Sequence, residues 1–136
     1  MLLIADSGST KTVWCLMSEQ HVRMMSTQGI NPFQLDEHEI SVILSTELVP
    51  QIELYGKTIG VNGVLDDIQE VVFYGAGCTR EKAPVVSTAL RTALTNGIRV
   101  EVMSDMMGAA RGLCGQEPGI VCILGTGSSI STKFIT

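Results

Sequence analysis

Apolar residues in this chain come in short bursts, and the spacing within the bursts alternates between two periods. Leu2 to Ala5 is a compact apolar run that ends at Asp6 and the turn-rich Ser7-Gly8-Ser9-Thr10. Val13 to Met17 and His21 to Ser26 are the next two strand candidates. The gaps between these three are short, so they are expected to form an antiparallel meander. Gly29-Ile30-Asn31-Pro32 breaks the pattern, with Asn31 pushed toward extended geometry by the proline after it. Asp36 and Glu39 have capping-box spacing, and Ile40, Ile43, Leu44 and Leu48 then recur at helical spacing. Pro50 is expected to end or kink that helix. Glu70 to Tyr74 is a strand closed by Gly75-Ala76-Gly77, and Pro84 to Asn96 is a helix with Gly97 as its C′ stop. Ile98 to Met103 is a further strand, and Met106 to Leu113 is rich in helix formers. Gly119 to Leu124 and Ile130 to Phe134 flank the glycine-rich turn Gly125-Thr126-Gly127-Ser128-Ser129.

The resulting order, β-β-β-α-β-α-β-α and then β-turn-β, predicts an α/β protein with a mixed five-stranded sheet and flanking helices. No repeat or low-complexity segment interrupts it. Composition narrows the function classes. With 9 basic and 14 acidic side chains the formal charge is −5, which argues against a nucleic-acid backbone as partner. Apolar runs such as Ile120 to Leu124 are far shorter than the roughly 20 residues of a membrane span, so no membrane partner is expected. The N-terminus has no basic region before its apolar start, unlike a signal peptide. Cys15, Cys78, Cys114 and Cys122 show no C-x-x-C spacing and are expected to be reduced thiols in a cytoplasmic protein. His21 and His38 have no partners at zinc-ligand spacing.

Five segments hold candidate chemistry. The segment Asp6-Ser7-Gly8-Ser9-Thr10-Lys11-Thr12 joins two strands and offers a glycine, hydroxyls and a cation, a combination that suits phosphate oxygens. Asp6, at a strand end, can hold Mg²⁺ directly or through water. This is not a Walker A loop, because Thr10 replaces the glycine and a strand follows. Gly125-Thr126-Gly127-Ser128 is a second loop of the same type, and the two together suggest a clamp on a polyphosphate. Asp105 follows a parallel-type strand, where open α/β sheets place their ligand crevice; it can accept a proton from a substrate hydroxyl or cap the next helix. Gly75-Ala76-Gly77 fails as a dinucleotide fingerprint because Arg80 takes the third glycine position, yet its backbone can approach a substrate closely. Asn31 can hydrogen-bond a sugar hydroxyl or its own turn.

The ordered set, an Asp-x-Gly-x-Thr-Lys-Thr loop after the first strand, an aspartate after the fifth and then Gly-Thr-Gly-Ser, resembles the N-terminal part of the sugar kinase and actin superfamily, with its ribonuclease H-like domain. Within it the chain is most similar to the BadF/BadG/BcrA/BcrD ATPase family, specifically its N-acetylglucosamine kinase-like members. The resemblance implies ATP and Mg²⁺ as cofactors and an amino sugar as substrate. It implies phosphate contacts from Asp6, Gly8, Ser9, Thr10, Lys11, Thr12, Gly125, Thr126, Gly127 and Ser128, with Asp6 also as the metal residue. Asp105, in Ser104-Asp105-Met106-Met107-Gly108, matches the catalytic-base segment, and Asn31 matches the sugar-binding asparagine. Gly75, Ala76 and Gly77 would line the same cleft. Ser129 departs from the pattern, since many relatives carry asparagine there. The family has two domains, so 1–116 is expected to be the first domain and 117–136 the opening hairpin of a truncated second. The isolated chain is then expected to be inactive, with the other wall supplied by a missing C-terminal domain or a homo-oligomer. Two alternatives share the phosphate loops. One is an ATPase that activates a reductase or dehydratase and carries an iron–sulfur cluster. The other is a non-catalytic sugar- or phosphate-binding module.

Overall fold

The structure, a computed structural model, describes residues 1–8, 10–94, 97–104, 121–126 and 129–134. Three strands open the chain: β1 (Leu2–Ser7), β2 (Lys11–Met17) and β3 (Val22–Gln28). Helices α1 (Glu37–Ile43) and α2 (Val49–Thr58) follow, then β4 (Glu70–Gly75), α3 (Ala83–Ala93) and β5 (Arg99–Met103). The first five strands form one sheet in the order β3-β2-β1-β4-β5. β1 pairs antiparallel with β2 and β2 antiparallel with β3, while β1–β4 and β4–β5 are parallel. This is the mixed sheet that the order of elements predicts, and its strand order fits the ribonuclease H-like fold that the resemblance implies. β6 (Val121–Thr126) and β7 (Ser129–Phe134) form a separate antiparallel pair. The helix expected over Met106 to Leu113 lies outside the described residues.

Strand alternation divides the sheet into two faces. On one face Leu3, Ala5, Trp14, Leu16, Val71 and Phe73 are essentially inaccessible and pack against Ile40, Leu44, Leu48, Ile52, Val86 and Leu90 of the helical layer. Trp14 and Phe73 meet with ring centroids 5.8 Å apart in a tilted arrangement. The other face carries a smaller cluster of Ile4, Cys15, Met17, Val72 and Tyr74. Asp6 and Lys11 fall on this second face by alternation, Ser7 and Thr12 on the first.

Asp36 caps α1 in a full capping box: its carboxylate accepts from the Glu39 backbone N–H, and the Glu39 side chain accepts from the Asp36 N–H. Pro50 does not end the helix. Leu44–Leu48 is a π-helical turn in which the Val49 N–H donates to the Leu44 carbonyl, five residues back. The extra residue in that turn starts a fresh segment, and Pro50 falls in its first turn, where its missing N–H costs little. Helix α3 stops at Ala93, about a turn earlier than its composition suggests; Leu94 has already left helical geometry (φ −96°, ψ −128°). Gly97 does adopt a left-handed conformation (φ 86°), in the turn entering β5.

Candidate functional site

All the candidate loops described here leave the same end of the sheet. β1 and β4 are parallel, so the carboxyl end of β1 (Asp6, Ser7) lies beside that of β4 (Tyr74, Gly75). β2 and β3 are antiparallel to each other, so the start of β2 and the end of β3 come to this end as well. Strand formation reaches further into the first loop than its composition suggests. Ser7, Lys11 and Thr12 are all in the ladder, which leaves a tight turn around Gly8 and Thr10. The Gly8 N–H donates to the Lys11 carbonyl at 2.9 Å and so closes the hairpin. Gly8, Thr10 and Lys11 are exposed, whereas Thr12, also expected among the phosphate contacts, is fully buried with its hydroxyl 3.1 Å from the Gln28 carbonyl.

Backbone hydrogen bonds join the loops to one another. The Gly29 N–H donates to the Thr10 carbonyl at 3.1 Å, linking the hairpin to the Asn31 loop. The Ala76 N–H donates to the Ser7 carbonyl at 3.3 Å, linking the glycine turn to β1. Gly77 is left-handed (φ 80°), and a Cβ there would collide with the Asn31 side-chain oxygen and lie 3.1 Å from the Phe33 ring. Only glycine lets the turn after β4 rest directly on the Asn31 loop. Gly75 is required for a packing reason, since a Cβ would fall 2.6 Å from the Phe73 ring and 3.1 Å from the Cys78 sulfur. Asn31 itself makes an Asx turn, its side-chain oxygen accepting from the Phe33 N–H at 2.9 Å. That bond uses the oxygen and leaves the amide N–H₂ for another partner. Its turn role and a ligand role therefore coexist in geometry.

Asp6 is a half-buried carboxylate at this sheet end. No side-chain hydrogen bond or ion pair reaches its carboxylate among the described residues, and burial alone pushes its carboxyl from 3.8 up to about 6. A half-buried carboxylate without a counter-charge suits a hard cation. Tyr74 stands in register with Asp6; its hydroxyl is buried without a hydrogen-bond partner among the described residues and is pushed up to about 12 by burial, with Glu101 and Glu70 adding to the shift. Cys15 and Cys78 are free, buried thiols, both pushed up to about 11 by burial. Among the described residues no three His, Cys, Asp or Glu side chains form a metal cluster, and no helix is long and apolar enough to cross a membrane.

The structure thus brings together Asp6, Gly8, Thr10, Lys11, Asn31, Gly75, Ala76 and Gly77 at one sheet end. Ser9, Asp105, Gly127 and Ser128 lie outside the described residues. Gly125 and Thr126 are the last residues of β6, which approaches β1. Ser7 lies in the first candidate loop, whose hydroxyls were read as ligand donors, but its side chain is buried in the fold. Its signal was there, since alternation places it, with Thr12 and Thr27, on the inward face of three successive strands.

No protein-family model and no curated protein matches the chain. Among solved structures it is similar to a proposed N-acetylglucosamine kinase of Porphyromonas gingivalis, with 42% identity and a TM-score of 0.67. The match covers 97% of this chain and 47% of that one, so the chain spans about half the length of that protein. The PPX-GPPA enzyme of Aquifex aeolicus matches at 14% identity over 95% of this chain and 49% of its own, with a TM-score of 0.37. At 42% identity over nearly its whole length, and with the mixed sheet in place, the chain resembles about half of that Porphyromonas gingivalis protein in sequence and fold.

Proposed function

We propose that the chain forms one wall of the cleft of an ATP-dependent sugar kinase of the BadF/BadG/BcrA/BcrD type, acting on an amino sugar such as N-acetylglucosamine. The observation that carries this is the joined set of loops: the hairpin at Gly8–Lys11, the Asn31 loop and the Gly75–Gly77 turn, hydrogen-bonded or packed together at the sheet end that holds Asp6, whose carboxylate has no side-chain partner among the described residues. The similarity to the Porphyromonas gingivalis protein supports the substrate class.

In this scheme bound ATP–Mg²⁺ would supply the phosphoryl group and the charge that neutralises it. Asp6 would hold the cation directly or through water. Gly8, Ser9, Thr10, Lys11, Gly125, Thr126, Gly127 and Ser128 border the phosphates, and Thr12 shapes the hairpin from beneath. Asn31 orients the sugar, with Gly75, Ala76 and Gly77 behind it. Asp105, two residues past β5, takes the proton of the attacking sugar hydroxyl as its oxygen bonds the γ-phosphorus and the bond to ADP breaks. Catalysis then rests on positioning and charge neutralisation. A second wall is needed, from a further domain beginning near residue 117 or from a second copy. The compartment that fits an ATP-consuming enzyme with free thiols is the cytoplasm.

The test is ADP release by the full-length protein with Mg–ATP, with and without N-acetylglucosamine. Sugar-dependent release is expected, and Asp105→Asn should lower kcat by about 10²–10⁴-fold with KM little changed. Release that ignores the sugar, or an Asp105→Asn variant as fast as the parent, would overturn the scheme.

A further inference from the structure

The buried polar side chains among the described residues are Ser7, Thr12 and Thr27, and they stand in one row. Ser7 on β1 is in register with Thr12 on β2, and Thr12 is in register with Thr27 on β3. All three point into the face that otherwise holds Ala5, Trp14 and Met25. Burying hydroxyls beside an apolar core is costly unless each is hydrogen-bonded, and here each is. Trp14 Nε1 donates to Thr27 Oγ1 at 3.0 Å, and Thr27 donates to the Gln28 carbonyl at 3.0 Å. Thr12 Oγ1 reaches the same carbonyl at 3.1 Å and Ser7 Oγ at 2.7 Å. Ser7 Oγ accepts from the Ile30 N–H at 2.9 Å and reaches the Ile30 carbonyl at 3.0 Å.

One side-chain oxygen on β1 therefore engages both backbone groups of Ile30, the residue immediately before Asn31. Proton counting shows how the row is coupled. Ser7 and Thr12 have two hydroxyl protons for three contacts: the Ile30 carbonyl, the Gln28 carbonyl and each other. Either Thr12 donates to Ser7 and Ser7 to Ile30, or Ser7 donates to Thr12 and Thr12 to Gln28. In both states the hydroxyls run as a chain from the hairpin strands to the Asn31 loop.

We propose that Ser7, together with Thr12, is a positioning residue that fixes the Asn31 loop against the phosphate hairpin and so sets the sugar-binding geometry; this rests on the assignment of Asn31 to the sugar. Ser7 touches no substrate in this scheme. It acts through Ile30 on Asn31, and through Thr12 on Gln28, at the end of the strand that leads into the same loop.

Amide hydrogen exchange on the ligand-free 136-residue chain tests the coupling. In Ser7→Ala the Ile30 and Phe33 amides should exchange about ten-fold faster or more, while Ile40 and Leu90 stay as in the parent. Thr12→Ser, which keeps the hydroxyl, should leave Ile30 protected. Unchanged Ile30 and Phe33 exchange, or equal acceleration at Ile40 and Leu90, overturns the proposal. Should Ser7→Ala fail to fold, Ser7→Cys, with a similar shape and a weak donor, is held to the same two amides. In the full-length protein Ser7→Ala should raise the KM for N-acetylglucosamine about ten-fold and leave the KM for ATP unchanged; an equal rise in both overturns it. If the parent shows no sugar-dependent turnover, the sugar assignment of Asn31 falls, and the exchange result still decides the coupling.

Discussion

At Asp6 the fold holds a carboxylate that burial alone shifts, from 3.8 up to about 6. The sign of its contribution follows from that direction. The folded state binds this proton more tightly than the unfolded chain, so the group favours folding fully below about 4. That contribution is lost as pH rises through about 6. Asp6→Asn removes the charge, so it should melt with the parent near pH 3.5 and a few degrees above it, about 3–5 °C, at pH 8. Equal melting temperatures at pH 8, read by circular dichroism, would contradict the assigned cause. A stabilising loss of a charge is the pattern expected where a residue is kept for binding rather than for folding. Residue type and spacing singled out Asp6, Asn31 and Gly77, and the structure brings them to one end of the sheet. Ser7 and Thr12 were legible only as loop residues, because the ladder continues one or two positions past the apolar run. There the hydroxyls bond backbone carbonyls inside the fold rather than facing solvent.

Among the elements, α1 was the most readable, because its signal is local. The Asp36–Glu39 spacing forms the reciprocal hydrogen bonds it predicts. Asp36→Ala should cost about 1 kcal/mol and lower the melting temperature by about 3–6 °C. No change in a thermal melt would mean that tertiary packing alone holds the helix start. The continuation through Pro50 was not legible, because a π turn is a register shift that leaves no compositional mark. It lets Leu48 and Ile52 stay buried on either side of the proline. The same turn lets Glu47 accept from the Gln28 N–H at 2.9 Å and Gln51 donate to the Ser26 carbonyl at 2.9 Å, covering part of the β3 edge. Such edge contacts arise from where the helix lands, so periodicity cannot announce them. Helix α3 ended early for a related reason: Leu94 has left helical geometry, and the chain turns through left-handed Gly97 to enter β5.

For the whole molecule, the order of elements was enough to place five strands in one sheet, because short gaps enforce antiparallel neighbours and helical crossovers enforce parallel ones. What the order could not supply is how the loops hold one another, through Gly29 to Thr10, Ala76 to Ser7 and Gly77 against Asn31. The central claim is that these loops act as one binding wall. The opposite end of the sheet offers an internal control, where the N-terminal ammonium donates to the Asp67 carbonyl at 2.6 Å beside the turn Val64–Asp67. The most direct measurement is hydrogen exchange of the full-length protein with and without Mg–ATP plus N-acetylglucosamine. Slowed exchange should appear together in Ser7–Thr12, Gly29–Phe33 and Gly75–Cys78, with Val64–Asp67 unchanged. Protection confined to one of the three segments, or found at Val64–Asp67 instead, would contradict the account.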